Sequence, residues 1–420
     1  MPEWNPKSAR LLRQFVFEGE WPTSVAFARQ ASLVAAGNRL GEIFVWDLTQ
    51  TPPAAEETAD SSPAQQQKKK DDESSAPDLP PVLRLQGHTN AISRLLGSPD
   101  GRYLYSSSYD HTVCIWDLEA APAAGESVIL DSRTREEQAR RLPEKERDAF
   151  LNAPGPVVPV LQPLRVLQGH TDWVHGLAQS ADGTRLFSGD ADSRVIQWEA
   201  ATGRQLSAWQ GHPWNGVISL ACSPSGDDVL ASEYGYKRDD FDIPTPALRV
   251  WSTGDPQVRL DLLQLQFPKL KAEETSYGAA SIWRKFVANG LLGATCSPDG
   301  QLLAVGQGGE TSKAQVHLFE AESGKFLRSL GEHAAGITDV RFSPDSRHVL
   351  STGRDTTLLV SSVEDGAEIV RLGKSRGGQF KDWFHALDLA PTSPAGSGTA
   401  GAYRLAAADI AGLIHVWECS

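Results

Sequence analysis

Long apolar runs are missing from this 420-residue chain. None approaches the roughly 18 residues that a membrane-spanning helix requires. The opening stretch MPEWNPKSARLLRQFVFEGE has neither a continuous apolar segment nor a small-residue cleavage site, so no secretory leader is expected. Cysteine is scarce. Cys114, Cys222, Cys296 and Cys419 lie far apart with no C-x-x-C pair, so neither a zinc site nor a redox pair is indicated. Cys222 and Cys296 each stand just before Ser-Pro, where a small buried hydrophobe of a recurring strand belongs. Positive charge is short as well: 40 Lys and Arg against 53 Asp and Glu give a net charge of −13. A general nucleic-acid binder carries a basic patch or stripe, and an anionic membrane surface attracts basic segments, so neither partner is expected. A reduced, cytoplasmic setting follows.

What the chain has in quantity is a repeated phrase. The clearest copy is LQGHTNAISRLLGSPDGRYLYSSSYDHTVCIWDL, from Leu85 to Leu118, and a second, LQGHTDWVHGLAQSADGTRLFSGDADSRVIQWEA, runs from Leu167 to Ala200. The His-to-Trp spacing is 28 residues in both, His88 to Trp116 and His170 to Trp198, and a third copy keeps it from His333 to Ser361 without the Trp. A unit of this length cannot bury its own apolar faces and must stack on its neighbours. The Gly-His dipeptide, the Ser-Pro-Asp-Gly turn and the Trp-Asp ending, met in fixed register, resemble the WD-repeat family over nearly the whole chain. The resemblance implies an all-β fold: a seven-bladed β-propeller with four antiparallel strands, a to d, per blade.

On that frame a single propeller spans residues 1–420, with strands c ending at Trp46, Trp116, Trp198, Trp251, Phe319, Ser361 and Trp417. The chain stops at Ser420 without a strand d for blade 7. Leu11 to Phe17 reads like that strand, so the ring is expected to close by pairing the N-terminal segment into the last blade, which avoids an open edge. Four insertions interrupt the repeats. Residues 53–81 are polar, charged and proline-rich and are expected to be disordered, with Lys68–Lys70 a solvated run. Residues 119–163 hold a capping-box spacing (Thr134, Glu137) and Pro143 at a helix first position, which predict two short helices. Segments 233–247 and 267–287 are expected as loops on the opposite face.

Each well-formed blade of the family carries a buried hydrogen-bond relay from the Gly-His histidine through a Ser and an Asp to the strand-c Trp. The resemblance implies His88, Ser108, Asp110 and Trp116 in blade 2. In blade 3 it implies His170, Asp192 and Trp198, with Asp190 in place of the Ser. Blade 6 keeps His333 and Asp355 and is read as lacking both Ser and Trp. These sets look like catalytic triads, but the family uses them to tie loop to strand, and a buried network must be fully paired.

Counting back 25 residues from the strand-c Trp slot gives Trp21 and Trp173 at the start of strand a; Trp383 takes that place in blade 7, and Trp214 lies close by in blade 4. His175 and His385 follow two residues on. The residue ahead of the b–c turn Asp slot is Arg39, Tyr109 or Arg354. In the family these positions rim the channel on the narrower face, so one mouth gathers Trp, Tyr and Arg, the composition of a protein-binding hot spot. Loop packing is the bland alternative for these tryptophans. The leading expectation is a non-catalytic, monomeric scaffold that binds a partner peptide or loop and needs no cofactor or metal. The competing one is a propeller enzyme, hydrolase- or lactonase-like or metal-dependent, in which His175 and His385 converge with Asp172 and Asp382.

Overall fold

The structure is a computed structural model describing residues 4–17, 21–50, 79–128, 136, 139–140, 142–211, 215–235, 247–266, 291–308, 313–373, 383–392 and 403–419. Seven sheets succeed one another, and the innermost strands touch in a closed circle. Strand a of blade 1, Pro22–Ala28, meets Ile92–Gly97 of blade 2 on one side and Phe384–Pro391 of blade 7 on the other. The molecule is a seven-bladed β-propeller.

Burial falls from the axis outward, as stacked blades require. Strand b of blade 1, Leu33–Asn38, and strand c of blade 2, Val113–Asp117, are buried at every position, because both faces meet a neighbouring blade. Strand d of blade 3, Gln205–Gln210, shows most of its side chains to solvent. The buried apolar residues divide into seven clusters, one at each blade–blade interface. No blade has a core of its own, which is the physical content of the repeat. The Ser-Pro-Asp-Gly turn recurs because its serine accepts from the backbone N–H five residues on, Tyr103 for Ser98 at 2.8 Å. Its glycine adopts φ +75°, and a Cβ at Gly101 would lie 2.9 Å from the Arg29 backbone of the preceding blade.

Arg10–Val16 pairs antiparallel with Leu413–Cys419, from Arg10 opposite Glu418 to Val16 opposite Leu413. It is the fourth strand of blade 7. Phe15 and Phe17, each 1% exposed, reach on into blade 1, where Phe15 stacks on Trp46 at 5.4 Å and Phe17 meets Phe44 edge-on at 5.3 Å. The residues just before it are held too: Trp4 is buried against His348 at 5.3 Å.

The 119–163 insertion differs from the two helices predicted. Ala123–Ser127 and Val157–Leu161 form a hairpin that adds two strands to the outside of blade 1, Val157–Leu161 running parallel to Leu83–Leu85. Val158, Val160 and Leu161 bury themselves there, and Pro159 sits at the bulge where a missing N–H costs least. One helix is described in full, Glu144–Asn152, and it starts a residue later than expected, with Pro143 as its cap. The proposed helix around 134–141 lies mostly outside the described residues. Of segment 53–81 only Leu79–Pro81 is described, and Leu79 is buried in the blade 7–blade 1 cluster together with Val128 and Val158. Of segment 233–247, Glu233–Gly235 and Ala247 belong to strands b and c of blade 4. Residues 236–246 and the 267–287 segment lie outside the described residues. No helix among the described residues is long and apolar enough to cross a membrane.

Candidate functional site at the channel mouth

The Gly-His relays are buried and tightly made, but their serines are not the ones expected. In blade 2, His88 Nδ1 lies 2.8 Å from Asp110 Oδ2 and its Nε2 lies 2.7 Å from Ser106 Oγ, which also accepts from Trp116 Nε1 at 2.8 Å. Ser108 instead donates to the Asn90 carbonyl at 2.9 Å. Residues 106 and 108 share one face of the strand, so alternation alone does not separate them. Blade 3 repeats the pattern with Ser188 at 2.6 Å and Asp190 at 2.7 Å from His170, while Trp198 Nε1 donates to Ser188 at 2.8 Å. Asp190 is thus the relay carboxylate; Asp192 is a turn residue whose N–H donates to it at 3.0 Å. Blade 6 does have its serine, Ser351, 2.8 Å from His333 Nε2, and lacks only the Trp. The constant feature is a serine 18 residues after the histidine. Burial works to raise the Asp110 carboxyl, yet bonds from His88, Thr112 and the Thr89 N–H outweigh it and hold the group well below the usual carboxylate range.

The mouth residues are positioned by a recurrent β-bulge. Strand a of blades 1, 2, 3, 6 and 7 shifts register at its second residue, which leaves Thr23, Ser93, His175, Thr338 and His385 out of the ladder. A bulge re-aims its side chain. In three of these blades the side chain is a hydroxyl that ties to the next blade: Thr23 Oγ1 donates to the Ile92 carbonyl at 2.5 Å, Thr338 Oγ1 to Phe384 at 2.7 Å, and Ser93 Oγ to Val174. His175 and His385 occupy the same slot in blades 3 and 7. Two residues earlier stand Trp173 and Trp383, and Trp21 before Thr23.

The structure brings these residues together in three groups. Trp173, 44% exposed, stacks on Tyr109 of the preceding blade at 4.9 Å with 7° between planes, and His175 meets Tyr109 edge-on at 4.9 Å. The Arg39 guanidinium lies 4.9 Å over the Trp21 ring, which is 52% exposed. The Arg354 guanidinium lies 4.6 Å over Trp383. Trp214 lies outside the described residues. Leu40, beside Arg39 and 57% exposed, belongs to the same surface and was missed, because a turn leucine carries no periodic signal.

A second omission lies in the channel. Arg94 of blade 2 grips Asp339 of blade 6 through both nitrogens, at 2.9 and 3.1 Å. Asp339 also accepts from Arg341 at 2.9 Å and from the Leu387 N–H at 3.1 Å. Strands separated by blades 7 and 1 are thereby joined through the axis. Nearby, Asp388 accepts from the Phe27 N–H at 2.7 Å, and burial pushes its carboxyl up to about 6. His385 keeps an exposed surface yet is closely surrounded by protein. Desolvation, then the guanidinium groups of Arg354 and Arg94, push its imidazole down to about 4. Desolvation also lowers His175, with Asp172 and Asp190 opposing it. Asp172 itself accepts from the Trp173 N–H at 2.7 Å, and Asp382 lies outside the described residues. Among the described residues no three His, Cys, Asp or Glu side chains gather as a metal site.

Comparison with known proteins matches the "WD domain, G-beta repeat" family to residues 79–117, 161–199 and 324–360. The chain is 21% identical to actin-interacting protein 1 of Drosophila melanogaster over 66% of its own length and 46% of that protein's. It is 23% identical to eukaryotic translation initiation factor 3 subunit I of Vanderwaltozyma polyspora, over 48% of this chain and 52% of the relative. With WD repeat-containing protein 1 of Gallus gallus the identity is 24%, covering 67% of this chain and 48% of the relative. The chain spans about half the length of these relatives.

Proposed function

We propose that this chain, which belongs to the WD-repeat β-propellers, is a non-catalytic scaffold that receives a peptide or loop of a partner protein at its aromatic mouth. The observation that carries the reading is the recurrence of Trp21, Trp173 and Trp383 at one register of strand a, each stacked on a b–c-turn residue, Arg39, Tyr109 or Arg354. Loop packing accounts for a buried Trp, but two of these three leave roughly half their surface in water. Large exposed aromatics grouped on one face mark an interaction site. One of the relatives is by name actin-interacting and another is by name part of a multi-subunit initiation factor, which supports work within assemblies. The enzyme alternative finds little support in the His–Ser–Asp sets: Ser106 and Ser188 are wholly buried, and their hydroxyls are shared between imidazole and indole. Unpaired thiols, with burial raising Cys114 and Cys222 to about 12, suit a reducing, cytoplasmic setting. The test is affinity purification of the full chain and of a Trp21→Ala/Trp173→Ala variant from the native host, with partners read by mass spectrometry. Partners lost only from the folded variant are expected; an unchanged partner set refutes the mouth as the binding site.

A further inference from the structure

The mouth has a chemical polarity that narrows what it receives. Resting on its reading as a partner site, we propose that the bound segment is acidic and apolar: Asp or Glu side chains drawn to Arg39 and to Arg354, flanked by aliphatic or aromatic residues on Trp21, Leu40 and the Tyr109–Trp173 stack.

Three observations converge. First, two of the three aromatic pairs are guanidinium-on-indole stacks. Stacking engages the flat face of Arg39 and restrains a long side chain, leaving the N–H edge in the plane of the fork, the geometry that accepts a carboxylate through two parallel bonds. Among the described residues no carboxylate pairs with Arg39; its contact is Trp21. Second, cationic groups stand at the aromatic pairs although the chain carries −13: Arg39 over Trp21 and Arg354 over Trp383. Over a screening length of about 8 Å, contact is decided by these neighbours and not by the distant acidic surface. Third, exposed apolar surface accompanies the charge: Leu40, 57% exposed, follows Arg39, and the equivalent register of blades 2 and 3 carries the Tyr109–Trp173 stack. A basic segment meets like charge at Arg39 and Arg354. A nucleic acid brings a run of phosphates that needs a matching row of cations, whereas a peptide needs to place one or two carboxylates.

Random dodecapeptides displayed on phage are selected on the immobilised full chain, and the winners are synthesised with a fluorescent label for anisotropy. The expected winners combine Asp or Glu with apolar neighbours, bind more weakly as salt rises, and lose about tenfold or more in affinity to an Arg39→Glu/Arg354→Glu variant. That variant is expected to select Lys- and Arg-bearing peptides instead, and its melting curve serves as the folding control. Basic or uncharged winners that still depend on Trp21 and Trp173 overturn the acidic inference and leave the mouth as a partner site. Winners indifferent to every mouth substitution, or no winners at all, overturn both. A single-stranded oligouridylate that displaces the peptides at lower concentration than they bind overturns the protein segment in favour of nucleic acid.

Discussion

Replacing Ser106 with Ala separates the relay of blade 2 from the residue that sequence spacing placed there. The Ser106 hydroxyl is fully buried and serves two partners, the His88 ring at 2.7 Å and the Trp116 indole N–H at 2.8 Å. Its removal forfeits two hydrogen bonds and leaves two polar atoms that water does not reach. A buried unsatisfied group costs about 1–3 kcal/mol, so the loss from two is about 2–6 kcal/mol. Against a total stability of roughly 5–15 kcal/mol, that is a large fraction. The effect is local, because each blade meets only its neighbours. Hydrogen exchange resolved by mass spectrometry therefore reads it better than a global melt. For amides of Tyr103–Asp117, exchange through local opening accelerates by at least about 30-fold, the exponential of the lower bound of that loss. Ser108→Ala is the control. Ser108 gives up its bond to the Asn90 carbonyl at 2.9 Å and the one it accepts from the Asp110 N–H at 3.1 Å, two neutral bonds worth about 0.5–1.5 kcal/mol each, and leaves the His88–Trp116 link intact, so a smaller acceleration is expected. Equal acceleration in the two variants, or a larger one for Ser108→Ala, refutes the assignment of the relay to Ser106.

Other outcomes follow from the same geometry. Deleting residues 1–18 removes the fourth strand of blade 7 and two buried phenylalanines, each worth about 1.5–3 kcal/mol, so cooperative unfolding collapses; a truncated chain melting with the full-length protein contradicts this. Trp173→Ala, at a half-exposed site, is expected to shift the melting temperature little and to lose partners, whereas Trp116→Ala empties a fully buried site at about 3–5 kcal/mol; equal destabilisation of both identifies Trp173 as packing. The imidazole of His385 is lowered from 6.5 to about 4 in the folded chain. The unfolded chain therefore takes up a proton in that window that the folded chain refuses, and stability present above pH 6.5 falls as pH drops to 4. His385→Gln is expected to flatten the decline in melting temperature across that range, and an unchanged slope removes His385 as its source.

The unequal blades show how one architectural need is met by different groups. Where the Gly-His relay is absent in blade 7, His415 on strand c takes the inner polar site, 2.9 Å from Asp409 and 2.9 Å from Gln14 of the closing strand. In blade 4 the same level holds Glu233, 2% exposed, gripped by Arg249 at 2.9 Å. A polar group buried between blades requires a partner but not a particular one, so the repeats lose their signature without losing the fold.

Local regularity explains what was legible. The 28-residue step from His88 to Trp116 and from His170 to Trp198 is a run of three antiparallel strands whose lengths are set by the width of a blade. Within the frame that the WD-repeat resemblance supplies, the strand-c ends at Trp46, Trp251 and Trp417 could therefore be placed. Register also assigns Trp173, His175 and Tyr109 to one rim, and their rings touch there. What spacing cannot carry is choice between equivalent positions and contact between distant ones. Ser106 and Ser108 obey the same alternation, and only the position of the His88 ring selects between them. The Val157–Leu161 strand finds its partner, Leu83–Leu85, in the preceding blade, and the intervening helix hid it as a loop. Arg94 and Asp339 lie in unrelated phrases of the sequence and meet only because a closed ring faces blade 2 towards blade 6 across its axis. The sequence by itself determined the repeat, and with it the propeller, because stacking is a nearest-neighbour requirement written into every copy. Tertiary structure alone decided the relay serines, the enlarged first blade and the charge that joins the channel walls, because those depend on distances that arise once the ring is closed.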